Sequence, residues 1–61
     1  MPIVTVQMLE GRTEEQKREL CDKVTQAVSE SVGAPAEGIW VVIEEMKKEN
    51  FAKGGKRISD Q

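Results

Sequence analysis

Residues 39–43, Ile-Trp-Val-Val-Ile, are apolar at five consecutive positions, and no other stretch narrows the possible folds as much. A strand with one wet face alternates polar and apolar residues. An unbroken apolar run reads instead as a strand covered on both faces, as in a parallel sheet. A second strand is legible at Pro2–Leu9, where Val4, Val6 and Met8 alternate with Thr5 and Gln7. Between the two lies one long helix, which makes a strand–helix–strand unit with parallel strands and a right-handed crossover. One helix covers only one face of a two-stranded sheet. The other face must be covered by another copy of the chain.

The helix is marked at both ends. Thr13-Glu14-Glu15-Gln16 fits a capping box, with two carboxylates at the positive end of the helix dipole. Leu20, Val24, Ala27, Val28 and Val32 recur at helical spacing over residues 13–32, and Glu14–Arg18 and Glu19–Lys23 are spaced as i,i+4 ion pairs. Gly33 stands where a C′ glycine is expected, and Pro35 prevents continuation. Glu10-Gly11-Arg12 reads as the turn between the first strand and the helix. After Glu44-Glu45-Met46 and the charged Lys47–Asn50 comes Phe51, then Gly54-Gly55, which predicts a short hairpin over about residues 50–58. The last three residues read as frayed. The fold class is α/β, one domain over residues 1–61, two parallel strands with one helix and a C-terminal hairpin, assembled into oligomers.

Composition supports assembly by elimination. A chain of 61 residues normally needs disulfides, a metal or oligomerisation to be stable. A single cysteine, Cys21, excludes an internal disulfide, and with no histidine a structural zinc site has no ligand set. Cys21 reads as a free thiol packed as a small hydrophobe. A net charge of −2 with a pI near 5.1 offers no dominant basic face for nucleic acid. No apolar run approaches membrane-spanning length and nothing resembles a signal peptide, so a cytoplasmic setting is expected.

The missing histidine also limits the chemistry. Of unperturbed groups only the α-amino group and cysteine titrate near neutrality. With Met1 removed, Pro2 is a free secondary amine at the end of a strand, and desolvation or a nearby cation would favour its basic form. The plain reading is a proline opening a strand where its missing N–H does no harm. Arg12 is the nearest candidate cation, able to clamp a carboxylate at two points; its plain reading is a solvated turn residue. Phe51 and Trp40, the only Phe and Trp, could wall out water or serve as ordinary core. Lys53-Gly54-Gly55-Lys56-Arg57 lacks the strand–loop–helix context of a phosphate site. It reads as a solvated turn whose charge would help draw in anions.

Taken together, Pro2-Ile3, the block Leu9-Glu10-Gly11-Arg12-Thr13-Glu14-Glu15-Gln16-Lys17, Ala34-Pro35, Glu45-Met46, and Phe51 with Gly54-Gly55 resemble the 4-oxalocrotonate tautomerase family. The resemblance runs from residue 2 to about residue 56. It implies subunits paired into dimers over a shared four-stranded sheet, with three dimers in a homohexamer. It implies no metal or organic cofactor. The family's processed proline matches Pro2 and is the general base; its carboxylate-binding arginine matches Arg12. Its pocket aromatic, which keeps the amine's pKa low, matches Phe51, and its apolar wall includes Leu9. The implied reaction is keto–enol tautomerisation of a 2-hydroxydienoate to a 2-oxo acid, as in aromatic-compound degradation.

One position departs from the pattern. The family's second arginine falls on Trp40, which has one N–H donor and no charge. That exchange should weaken a dicarboxylate such as 2-hydroxymuconate and suit a monocarboxylate with an aromatic tail, such as phenylenolpyruvate. Dehalogenating relatives place a carboxylate near Phe51; Lys53 stands there instead, so hydration should be inefficient. If Met1 is retained, Pro2 nitrogen is an amide, and the chain would be a non-catalytic oligomeric binding module.

Overall fold

The computed structural model describes residues 1–61. Strand β1 (Ile3–Leu9), helix α1 (Glu14–Val32) and strand β2 (Trp40–Met46) form the expected unit, followed by a ribbon of β3 (Ala52–Lys53) and β4 (Lys56–Arg57). The strands β1 and β2 are parallel and in unbroken register, from Ile3 opposite Trp40 to Leu9 opposite Met46. Hydrogen bonds at each end extend the ladder, Trp40 N–H to Pro2 carbonyl at 3.0 Å and Glu10 N–H to Met46 carbonyl at 3.0 Å.

Both helix signals hold. Thr13 Oγ1 accepts the Gln16 N–H at 3.1 Å while Gln16 Oε1 accepts the Thr13 N–H at 3.0 Å. Gly33 closes the helix in the left-handed region, its N–H on Ser29 carbonyl at 3.0 Å. The inward stripe is narrower than the sequence implied. Leu20, Cys21, Val24, Thr25, Val28 and Ser29 are half-buried, whereas Ala27 and Val32 are exposed. Nineteen helical residues run about 28 Å, and a seven-residue strand about 23 Å. The helix is thus longer than the strands beneath it, and Val32 in its last turn is left exposed. Of the two expected i,i+4 pairs, Glu19–Lys23 forms at 2.7 Å, but Glu14 is drawn instead to Lys17 at 3.3 Å.

Two further expectations are corrected. The second strand begins at Trp40 rather than Ile39, which ends a 3₁₀ turn over Ala36–Gly38, and it continues through Glu44 and Glu45 to Met46. The C-terminus is not frayed: Ile58–Asp60 form a 3₁₀ turn held by Arg57 Nε on Asp60 Oδ2 at 3.0 Å. The hairpin is confirmed within the expected span. Both residues of its two-residue loop, Gly54 and Gly55, have positive φ (61° and 84°), the requirement of a tight turn that follows the ribbon's twist.

No residue of the single chain is buried. Val4, Val6, Val41 and Ile43 face the helix and are half-covered. On the opposite face Ile3, Trp40 and Val42 remain 59%, 59% and 43% exposed. The apolar run 39–43 thus has a helix on one side and nothing from its own chain on the other. The chain exposes 4795 Å², against about 4000 Å² for a compact protein of its mass. Its radius of gyration is 14.5 Å, where about 10.5 Å is usual for this length.

Candidate active site

The register of the sheet decides where the candidate residues lie. Pro2 is half-buried at the start of β1, and its carbonyl accepts the Trp40 N–H at 3.0 Å. Pro2 and Trp40, 38 positions apart in sequence, are therefore neighbours at one end of the sheet. Leu9 stands at the other end, opposite Met46. Arg12 follows it in a short connection pinned on both sides, by the Glu10–Met46 hydrogen bond before it and the Thr13 capping box after it. Gly11, at φ 125°, makes the bend between those anchors, a backbone state that residues with a Cβ rarely adopt. Phe51 lies past the end of β2, extended at φ −133°, with its carbonyl accepting Ile58 N–H at 2.8 Å.

Pro2 and Leu9 are separated by seven strand residues, about 23 Å. Arg12 lies further along still, and no arginine side chain spans that distance. One chain consequently holds the candidate residues in two groups, Pro2 with Trp40 at one end of the sheet and Leu9, Arg12 and Phe51 at or beyond the other. A pocket that contains both Pro2 and Arg12 has to be closed by a second chain. The single surface concavity of the isolated chain, lined by Gln16, Glu19, Leu20 and Lys23, holds none of these residues. No three His, Cys, Asp or Glu side chains converge as a metal site would require.

Sequence reading missed a clamp at the arginine end. Lys17 Nζ reaches Glu45 at 3.1 Å and Glu14 at 3.3 Å, tying the start of the helix to the end of β2. The only hint lay in Lys17 and Glu45 falling in separate resemblance blocks; the 28-residue separation hides the pairing until the strands are aligned. The hydrogen bond to Glu45, then that to Glu14, raises Lys17 above the usual lysine pKa. A raised cationic pKa stabilises the fold below the ordinary lysine value, and the contribution is lost as pH climbs through the raised one. Lys17→Met should accordingly melt below the native protein at pH 7, and the difference should shrink as pH climbs through the raised lysine value, as calorimetry across an alkaline pH series would show.

The tautomerase-enzyme family model matches residues 2–61. The 2-hydroxymuconate tautomerase of Bacillus subtilis (strain 168) is 63% identical over 60 residues, covering 98% of this chain and 97% of the relative. Among solved structures, YwhB, a homologue of 4-oxalocrotonate tautomerase, superposes with a TM-score of 0.95 at 62% identity and 98% coverage of each chain. A heterohexameric 4-oxalocrotonate tautomerase from Chloroflexus aurantiacus J-10-fl superposes at 0.92 with 28% identity, covering 98% of this chain and 97% of that one.

Proposed function

The chain belongs to the tautomerase family, and on that premise we propose that it catalyses the keto–enol interconversion of a 2-hydroxydienoate and its 2-oxo acid with Pro2 as general base. Tautomerase activity follows from the family; the base, the substrate and the assembly are our reading. Met1 is 83% exposed, so nothing in the fold opposes its removal. The resulting amine sits beside Trp40 at a sheet end whose outer face is apolar, where desolvation disfavours its protonated form. Its ordinary range lies near neutrality, so one group can take a proton from the enol and return it to carbon. Arg12 of a neighbouring chain anchors the carboxylate and stabilises the dienolate charge. Leu9 and Phe51 close the pocket against water.

The observation that carries this reading is the division of the site between the two ends of β1. It requires the Pro2 end of one copy to meet the Arg12 end of another, and the uncovered Ile3–Trp40–Val42 face offers a surface through which copies can associate. A homohexamer built as a trimer of dimers fits that need, and the Chloroflexus relative is a hexamer of the same fold.

A second reading concerns specificity. The Trp40 N–H bonds the Pro2 carbonyl, and the resemblance assigns the family's second arginine to this position, so an uncharged indole here supports a monocarboxylate substrate over a dicarboxylate. A spectrophotometric ketonisation assay should give a higher kcat/KM with phenylenolpyruvate than with 2-hydroxymuconate. In the same assay Arg12→Ala should raise KM and lower kcat, with a loss of about 10²-fold in kcat/KM. Unchanged kinetics in Arg12→Ala would remove that residue from the site.

A further inference from the structure

The charge of this chain is segregated. Residues 1–46 carry nine acidic side chains and four basic ones, a net −5. Residues 47–61 carry Lys47, Lys48, Lys53, Lys56 and Arg57 against Glu49 and Asp60, a net +3. Within that basic segment Arg57 is neutralised by Asp60 at 3.0 Å, whereas neither Lys53 nor Lys56 has an acidic partner within ion-pair distance.

The ribbon places these two charges together. Lys53 is directly opposite Lys56 across β3 and β4, an arrangement of like charges that weakens a strand pair. Cross-strand partners share a face, and alternate residues of an extended strand do too. Phe51 is extended and two residues before Lys53, and its carbonyl bonds Ile58, two residues after Lys56. One face of the ribbon therefore carries Phe51 and Ile58 at its base and two ammonium groups at its tip. The opposite face carries Ala52 and the neutralised Arg57.

We propose that this ribbon face is the anion-collecting entrance of the pocket, with Lys53 and Lys56 drawing the carboxylate of the substrate toward Phe51. The inference rests on the tautomerase reading of Phe51 as pocket wall. It assigns the hairpin lysines a steering role, with the chemical step left to Pro2 and Arg12. Charged clefts raise the local concentration of a counter-ion and its on-rate by roughly 10–10³-fold, and salt removes the effect. The unfavourable Lys53–Lys56 pairing is then retained because it acts on the substrate.

The test is ketonisation of phenylenolpyruvate and 2-hydroxymuconate at about 20 mM and about 0.5 M salt, where the screening length falls severalfold. In Lys53→Gln/Lys56→Gln, kcat/KM at low salt should fall about three- to tenfold with kcat unchanged. The deficit should close at high salt and be larger for the dianionic 2-hydroxymuconate. Lys53→Arg/Lys56→Arg, which keeps both charges, should behave as native. A double glutamine variant with native kcat/KM and native salt dependence overturns the proposal. Pro2→Ala in the same assay reports separately on the site: if it is as active as native, the tautomerase reading of Pro2 fails whatever the lysines do. Should neither substrate turn over, titration with phenylpyruvate followed through the backbone amides of residues 51–58 reads the contact without chemistry. Shifts that vanish in the glutamine variant support the proposal, and no shifts in the native protein overturn it.

Discussion

Pro2→Ala, with Met1 removed, should lose kcat by a factor bounded by the about 10²–10⁴-fold that a positioned general base contributes in full, at most about 3–5 kcal/mol of barrier. Protein that retains Met1 should show no acceleration attributable to Pro2. Its nitrogen is then part of a peptide bond, whose lone pair is delocalised into the carbonyl and cannot take a proton at neutral pH. Intact mass fixes which species is present, and the ketonisation assay on each compares them. The alanine variant still has an α-amino group, of ordinary pKa near 8, at the same point in the sheet. Its deficit isolates what the ring contributes, a secondary amine with restricted rotation, since the Trp40 N–H to residue 2 carbonyl bond is available to either residue. Equal rates for native and alanine proteins would end the case for Pro2, and full activity in Met1-bearing protein would do the same.

The second large effect concerns assembly. Val42→Asp puts a carboxylate at the centre of the apolar outer face, between Ile3–Trp40 and the polar rung of Gln7 and Glu44, where Gln7 Nε2 donates to Glu44 Oε1 at 3.1 Å. If that face is covered by another copy, the new charge is buried without a partner, at about 3–5 kcal/mol for each subunit. Oligomers should dissociate. The chain has no buried residue of its own, so the released monomer should lose most of its helical signal rather than persist as a folded unit. Sedimentation velocity and circular dichroism on one sample would show both. A stable, folded oligomer in the Val42→Asp variant would place the interface elsewhere and remove the surface on which the composite pocket depends.

What could be read beforehand divides along a physical line. Features set by neighbours in sequence were legible: the Thr13–Gln16 box, the Gly33 stop, the Gly54-Gly55 turn and the two strand patterns all depend on contacts within a few residues. That one helix could cover only one face of the apolar run 39–43 was also legible, and the exposed Ile3, Trp40 and Val42 bear it out. Features set by alignment of distant segments were not legible. The Lys17–Glu45 clamp, the exposure of Val32 and the placing of Trp40 beside Pro2 each require the strand register and the helix length together. The candidate residues could be named from their resemblance to a family. Their distribution over two ends of one molecule became visible only when a seven-residue strand was laid between them.

That distribution has an evolutionary consequence. Under the proposed composite pocket, a duplicated gene for such a chain would yield two copies that share one ring, with each cavity drawing its base from one copy and its anchor from another. One copy is then free to lose its amine and the other its guanidinium without extinguishing every cavity. Specialisation can begin by neglect, with each polypeptide keeping the end that still has work.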